Sequence, residues 1–283
     1  MFGDHAETGP VSVDLNVDAA LALQRMAGID SYPSVLAVLP NIYKIEDRDR
    51  VHAVVIEQLA AAGVVDGDRV HPLVEDWLNC LYRPDSELEM RILDNGAGDH
   101  EATMLRMSLA RRGMDHVLAV RCDDHIVIQP VFAKGADHGV LSAAVKAALG
   151  EYPILDIDPF TADAAALAEV PADPETSRTV LRELGASPRT ASALTRALGE
   201  VVRRAELVMT EHRDGGAGSI VSKASVGVLD TFSGRFVVTP SAAMDGEIWS
   251  TFQPGDDAAI KAGIDALIEL LPSRSWFETS RTL

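Results

Sequence analysis

A chain of 283 residues with 47% hydrophobic and 24% charged residues can bury a core without disulfide or metal staples, which excludes a disordered or fibrous protein. Its 25 lysines and arginines stand against 43 acidic residues; a formal charge of −18 with no basic cluster along the sequence argues against nucleic acid and anionic membrane surfaces as partners. No apolar run reaches the roughly 18 residues of a spanning helix, MFGDHAETGP lacks the regions of an export signal, and Cys80 and Cys122 form no CxxC pair, so a reducing cytoplasm and no membrane insertion are expected.

Along the chain, SVDLNV alternates as a strand, an Ala/Leu-rich helix follows to about Ala27, and a second helix is expected from about Asp49 to Ala62. HPLVEDWLNCLY places Val74, Trp77, Leu78 and Leu81 at helical spacing. The period changes at Pro84: ELEMRIL alternates Leu88, Met90 and Ile92 with Glu87, Glu89 and Arg91. After the polar loop from Asp94 to Thr103 come MLRMSLARR, a turn at Gly113, HVLAVRC, a tight turn at Asp123-Asp124 and HIVIQPVF, an antiparallel meander. A helix with Asp137 as its cap and Leu141, Val145, Ala148 and Leu149 on one face closes the unit before Gly150 and Pro153.

EYPILDIDPFTADAAALAEVPADPE, broken by four prolines, then reads as a boundary between halves, residues 1–155 and 156–283. Beyond it the same grammar returns. SPRTASALTRALGEVVRR reads as a helix, AELVMTEHRDGG as strand and turn, SIVSKASVGVLDT and GRFVVTPS as a hairpin, and DGEIWSTFQPG leads into a helix capped by Asp256 and ended by Pro272. Asp94 and Asp214, Gly113 and Gly234, Gly135 and Gly255, and Pro153 and Pro272 keep a separation of about 120 residues, the mark of an internal duplication. The expected fold is α+β: two quasi-symmetric halves of antiparallel β-sheet with flanking α-helical bundles.

Sites for chemistry fail on context. Asp123-Asp124-His125 sits between two strand patterns and reads as a turn; His100-Glu101 starts an HExxH pattern but continues to Thr103 and Met104. Asp156-Ile157-Asp158 spaces carboxylates as for a divalent ion, but Pro159 follows and the segment reads as linker. The glycines around Ala217 lack the lysine and helix of a phosphate loop, and there is neither a GxSxG elbow nor a GxGxxG after a first strand. No cofactor, no metal, no small-molecule substrate and no catalysis are expected.

In the second half EHRDG, VGVLDT, Gly234-Arg235, DGE at Asp245–Glu247, STFQPG and LLPSRSWF follow one another in an order and spacing that resemble the C-terminal half of EspG proteins; SYPSVLAVLPNI, from Ser31, extends the resemblance to nearly the full length. The resemblance implies two quasi-symmetric halves and a chaperone of type VII (ESX) secretion that covers the apolar helical tip of the PPE protein in a PE–PPE heterodimer. A small-ligand-binding or regulatory α+β module is the alternative. By topology, the implied contacts lie in the loop residues Asp94, Asn95, Gly96, Asp99, His100 and Glu101. They continue in the second-half helices at Leu181, Leu184, Leu194, Leu198 and Val202, and on the sheet face at Thr210 and His212.

Overall fold

The structure, a computed structural model, describes residues 9–41, 44–96, 101–133, 135, 137–213 and 218–281, without the side chains of residues 45, 46 and 48. β1 (Val13–Asn16) turns straight into α1 (Val17–Ala27) because Asn16 stays extended while its side chain accepts a hydrogen bond from the Ala19 amide at 2.8 Å. A short 3-10 turn, η1 (Ser34–Leu36), precedes α2 (Ile45–Ala61), which begins four residues before the expected start. The hairpin of β2 (Val65–Asp66) and β3 (Arg69–Val70), too short to show a period, leads to α3 (Pro72–Tyr82). The meander follows as β4 (Ser86–Asp94), β5 (Thr103–Arg112), β6 (Asp115–Cys122) and β7 (His125–Val131), with Gly113 and Asp123 in the left-handed region at its two tight turns. α4 (Gly139–Leu149) closes the half; its cap is His138, since Asp137 instead accepts from the Gly139 amide at 3.1 Å.

The stretch expected as linker folds. β8 (Phe160–Asp163) runs into α5 (Ala164–Ala168), and Asp163 accepts from the Ala166 amide at 2.8 Å, repeating the corner at Asn16. The prolines that suggested interruption flank these elements or start the next ones: Pro174 opens α6 (Pro174–Glu183) behind the cap Asp173, and Pro188 opens α7 (Pro188–Leu198) behind the cap Ser187. Asp156 pairs with Arg189, Ser187 donates to Asp158 at 3.2 Å, and Ile157 is buried, so the spaced carboxylates anchor α7.

The helix expected through Arg204 stops at Leu198. Val201–Arg204 instead begin β9 (Val201–His212), because the strand pairs with β4 and β11 outweigh the helical preference of the run. SIVSKASVGVLDT divides into β10 (Ser219–Val221) and β11 (Val226–Thr231), where Ser222 leaves the strand and donates to the Ala224 carbonyl at 2.9 Å. β12 (Gly234–Ala242), β13 (Ile248–Pro254) and α8 (Asp257–Glu269) complete the half, with Asp256 accepting from the Ala259 amide at 2.8 Å.

Apart from the β2–β3 hairpin, the strands form one sheet of eleven, in the order β1-β7-β6-β5-β4-β9-β11-β12-β13-β8 with β10 beside β9, antiparallel throughout. Counted outward from the centre, β4 answers β9, β5 answers β11, β6 answers β12, β7 answers β13 and β1 answers β8, so an approximate two-fold axis passes through the β4–β9 pair. One sheet face, carrying Leu88, Met90, Met107, Leu207, Met209 and Val237, lies under α4, α8 and the C-terminal tail with Trp276. On the other face two separate cores form: α1, η1, α2 and α3 over β6 and β7, and α6 with α7 over Phe160 and Phe236. No helix among the described residues is long and apolar enough to cross a membrane.

Candidate functional site

The two helical layers stand apart, leaving the middle of the face unroofed. Register fixes what lines this strip, because directly opposite residues share a face. One row across the whole sheet reads Leu15, Ile126, Arg121, Arg106, Arg91, Glu206, Gly227, Val238, Phe252 and Phe160. Its apolar ends lie beneath helices and its charges fall between them. The neighbouring row reads Ala119, Ser108, Glu89 and Val208; the next reads Ala110, Glu87, Thr210 and Val221. Arg91, Arg204 and Glu206 are exposed, and Leu93, Arg106 and Val208 are half-buried, so this floor is accessible.

At its closed end the floor is acidic and tied down. Ser108 donates to Glu87 Oε1 at 2.6 Å, and His212 Nε2 lies 3.4 Å from Glu87 Oε2 while its Nδ1 meets Ser219 Oγ at 2.8 Å. Ser34 of η1 reaches over the wall and donates to Glu89 Oε1 at 3.3 Å. Partial burial and the neighbouring Glu87 charge hold the Glu89 carboxyl above the usual carboxylate range, against the Ser34 hydrogen bond and Arg91. Serine, glutamate and histidine meet here: Ser108 on Glu87 is wholly buried, whereas Ser219 on His212 is exposed. Cys80, like Ser108, is closed off: burial, before the Asp115 charge, pushes its thiol up to about 12. Among the described residues no group of histidine, cysteine and carboxylate side chains is arranged to hold a metal ion.

The sequence-predicted site residues divide into three places. At one end of the β4–β9 pair, Asn95 donates from its backbone to the Val202 carbonyl at 2.9 Å and from its side chain to the Val201 carbonyl at 3.0 Å, while Asp94 receives the Gly96 amide at 3.0 Å. Leu198 ends α7 beside them and is 42% exposed, and Phe232, on the turn between β11 and β12, is 78% exposed with its amide on the Glu200 carbonyl, so an apolar corner adjoins the loop. Val202 is a half-buried strand residue of this corner rather than part of a helical stripe. Glu101 is exposed, and Asp99 and His100 lie outside the described residues. Thr210 and His212 sit at the opposite end, about 25 Å along the strand, beside Glu87. Leu181 and Leu194 point inward and hold α6 and α7 together, and Leu184 is half-buried after α6, so these three support the wall.

Sequence reading missed the floor itself. Arg91, Arg106 and Arg121 recur at equal separations in three consecutive strands, but only the hairpin registers turn that spacing into one row.

The model of the EspG family matches residues 16–266. The ESX-1 secretion-associated protein EspG1 of Mycobacterium marinum is 32% identical over 95% of this chain and 91% of its own length. The ESX-3 secretion-associated protein EspG3 of Mycolicibacterium smegmatis is 32% identical over 95% of this chain and 90% of its own length. Among solved structures, the type VII secretion system chaperone EspG5 of Mycobacterium tuberculosis, in complex with a PE25-PPE41 dimer, superposes with a TM-score of 0.79 at 20% identity, covering 95% of this chain and 100% of that one. The duplicated meander, the paired helical layers and matches of this extent place the chain in the EspG family.

Proposed function

We propose that this chain is a cytoplasmic chaperone of type VII secretion that binds a PE–PPE heterodimer through its PPE subunit, keeps it soluble and directs it to the ESX machinery. The observation that carries this is the unroofed strip over β4 and β9, an elongated surface with apolar walls and a polar floor, in a chain that shares its fold with an EspG protein solved in complex with such a dimer. A helical tip laid along the strip meets the apolar corner of Leu198, Val202 and Phe232 at one end and the half-buried His212, beside the buried Thr210, at the other. The loop residues Asp94, Asn95, Gly96 and Glu101 form the rim. In this reading the chain holds its client and performs no chemistry on it; Ser108 and Cys80 are buried. Residues 1–155 and 156–283 work as halves of one body, since β4 and β9 join their meanders along the full length of β4.

The test is co-expression of the tagged chain with PE–PPE pairs encoded beside ESX loci. One heterodimer is expected to co-purify, held through its PPE subunit. Shortening the 96–101 segment to a two-residue turn should weaken binding by about 1 kcal/mol or more with an unchanged melting curve. Recovery of a retained small molecule and no heterodimer overturns the proposal in favour of a ligand-binding module.

A further inference from the structure

On the open strip Arg121 of β6 lies directly opposite Arg106 of β5, and Arg106 directly opposite Arg91 of β4; Glu206 of β9 is the next residue in the row. All four lie on the face away from α4 and α8, because the adjacent Met90, Met107 and Leu207 are in the core under those helices. Like charges directly opposed on neighbouring strands destabilise a sheet, so two successive arginine pairs cost stability that a counterion relieves.

The arginines differ in what they already hold. Arg121 is committed to backbone: its Nε donates to the Asp123 carbonyl at 2.7 Å and its Nη1 to the carbonyls of Leu36, at 2.8 Å, and Ala37. Burial, and then the Arg106 charge, both disfavour its protonated form. Arg106 and Arg91 make no hydrogen bond or ion pair with any described residue. Neither does Arg204, one row further along and opposite Leu93, nor does Glu206 reach Arg91. A chain with a formal charge of −18 thus carries, at the centre of its open face, a cationic spot assembled by register from separate strands. Leu93, Met104 and Val208, all half-buried, surround it with apolar surface that excludes water from an ion pair formed there.

We propose that Arg91 and Arg106 together receive a carboxylate from the client's docking segment, with Arg204 as a flanking cation, so that an acidic residue at the helical tip selects the client of this chain. This rests on the client-binding reading above. Two guanidinium forks on neighbouring strands suit the planar, doubly accepting geometry of a carboxylate. A phosphate backbone suits them less, because so few cations within a strongly acidic chain fall short of the contacts that non-specific nucleic-acid binding requires.

The experiment takes the PE–PPE heterodimer captured by the unmodified chain and measures its affinity by calorimetry for wild type, R91Q, R106Q and the double variant, at about 50 and 500 mM NaCl. Each single substitution is expected to weaken binding about tenfold, the double variant to lose most of the salt dependence, and R91K to recover only part of the affinity. Without any client, R106Q is expected to melt above wild type, because it removes one member from both opposed pairs. Unchanged affinity and salt dependence in the double variant overturn the inference and leave the chaperone reading standing. If no heterodimer is captured, that reading falls, and the melting curves decide on the row: an R106Q protein no more stable than wild type overturns it. Binding of a labelled DNA duplex that is lost in the same variants also overturns it, in favour of nucleic acid.

Discussion

At matching corners of its two halves the protein buries an ion cluster of opposite arrangement. In the first half one arginine is central: Arg111, 1% exposed, lies 3.4 Å from Asp85 and donates to the Gly113 carbonyl, Ser86 Oγ and the carbonyl and hydroxyl of Thr279. In the second half a carboxylate is central: Asp230 receives Arg203 Nε at 2.7 Å and Arg235 Nε at 2.6 Å, and the same guanidiniums donate to the carbonyls of Leu149 and Gly150. Tyr152 lies beneath both arginines, 5.8 and 5.5 Å from ring centre to guanidinium. Both clusters perform one task, holding the chain that leaves the closing helix of a half: the end of α4 in one case, the tail beyond α8 in the other. What the duplication retains is the anchoring position, while the sign of the central charge is exchanged.

The difference in wiring predicts unequal fragility. Asp230→Ala leaves the buried Arg235 and the half-buried Arg203 without a carboxylate and is expected to cost about 3–5 kcal/mol. Arg111→Met should cost less, about 1–3 kcal/mol, because Asp85 keeps the backbone amides of Gly113 and Arg281, both at 2.7 Å, and stays satisfied. Urea unfolding of the two variants beside wild type checks this; equal losses would mean that the corners are energetically alike despite their wiring.

A pH experiment sharpens the contrast, because the first corner has a buried histidine as neighbour. Trp276, wholly buried, donates from Nε1 to His116 Nε2 at 3.0 Å, while His116 Nδ1 meets the Met114 carbonyl at 3.0 Å, so the imidazole is neutral with its proton on Nδ1. Burial, ahead of the Arg111 charge, lowers its pKa, against the Met114 bond and Asp115. The unfolded chain therefore binds the proton first as pH falls. The contribution is complete above the ordinary histidine value of about 6.5 and is lost as pH drops through it toward the lower folded value. The melting temperature of wild type should fall between about pH 7 and pH 5.5 more steeply than that of His116→Gln, which cannot charge. Parallel slopes would show that the tail is held without regard to this histidine.

Most of the elements were legible because hydrophobic period and turn residues specify them locally. Leu88, Met90 and Ile92 announce a strand, and Asp256 announces the start of α8. What was not legible is set by tertiary partners. Val201–Arg204 could continue α7 or start β9, and only the pairing with β4 and β11 decides. The proline-rich stretch between halves gave no period long enough to reveal β8, four residues at the sheet edge whose order comes from β13. The candidate site was the least legible part. Leu181 and Leu198 look alike in sequence, yet one is core and the other surface, and the arginine row exists only through register.

The smallest expected effect on stability tests that last distinction. Leu181 is 2% exposed within the second-half core, whereas Leu198 is 42% exposed at the end of α7, where the chain turns toward β9 and the Asn95 loop lies against Val202. Burial then separates two residues of the same type. Leu181→Ala should cost about 2–5 kcal/mol through lost transfer energy and the cavity left behind. Leu198→Ser removes little buried surface and should change stability by no more than about 0.5 kcal/mol. If the corner of Leu198, Val202 and Phe232 receives a client's apolar tip, Leu198→Ser should nonetheless weaken heterodimer binding by about 1 kcal/mol or more, since such a contact becomes buried only in the complex. Thermal melting and calorimetry on the same preparations separate the outcomes. A stable variant with unchanged affinity would confine the client to the strip's floor and its opposite end, and a loss of stability comparable to that of Leu181→Ala would mean that Leu198 is a core residue.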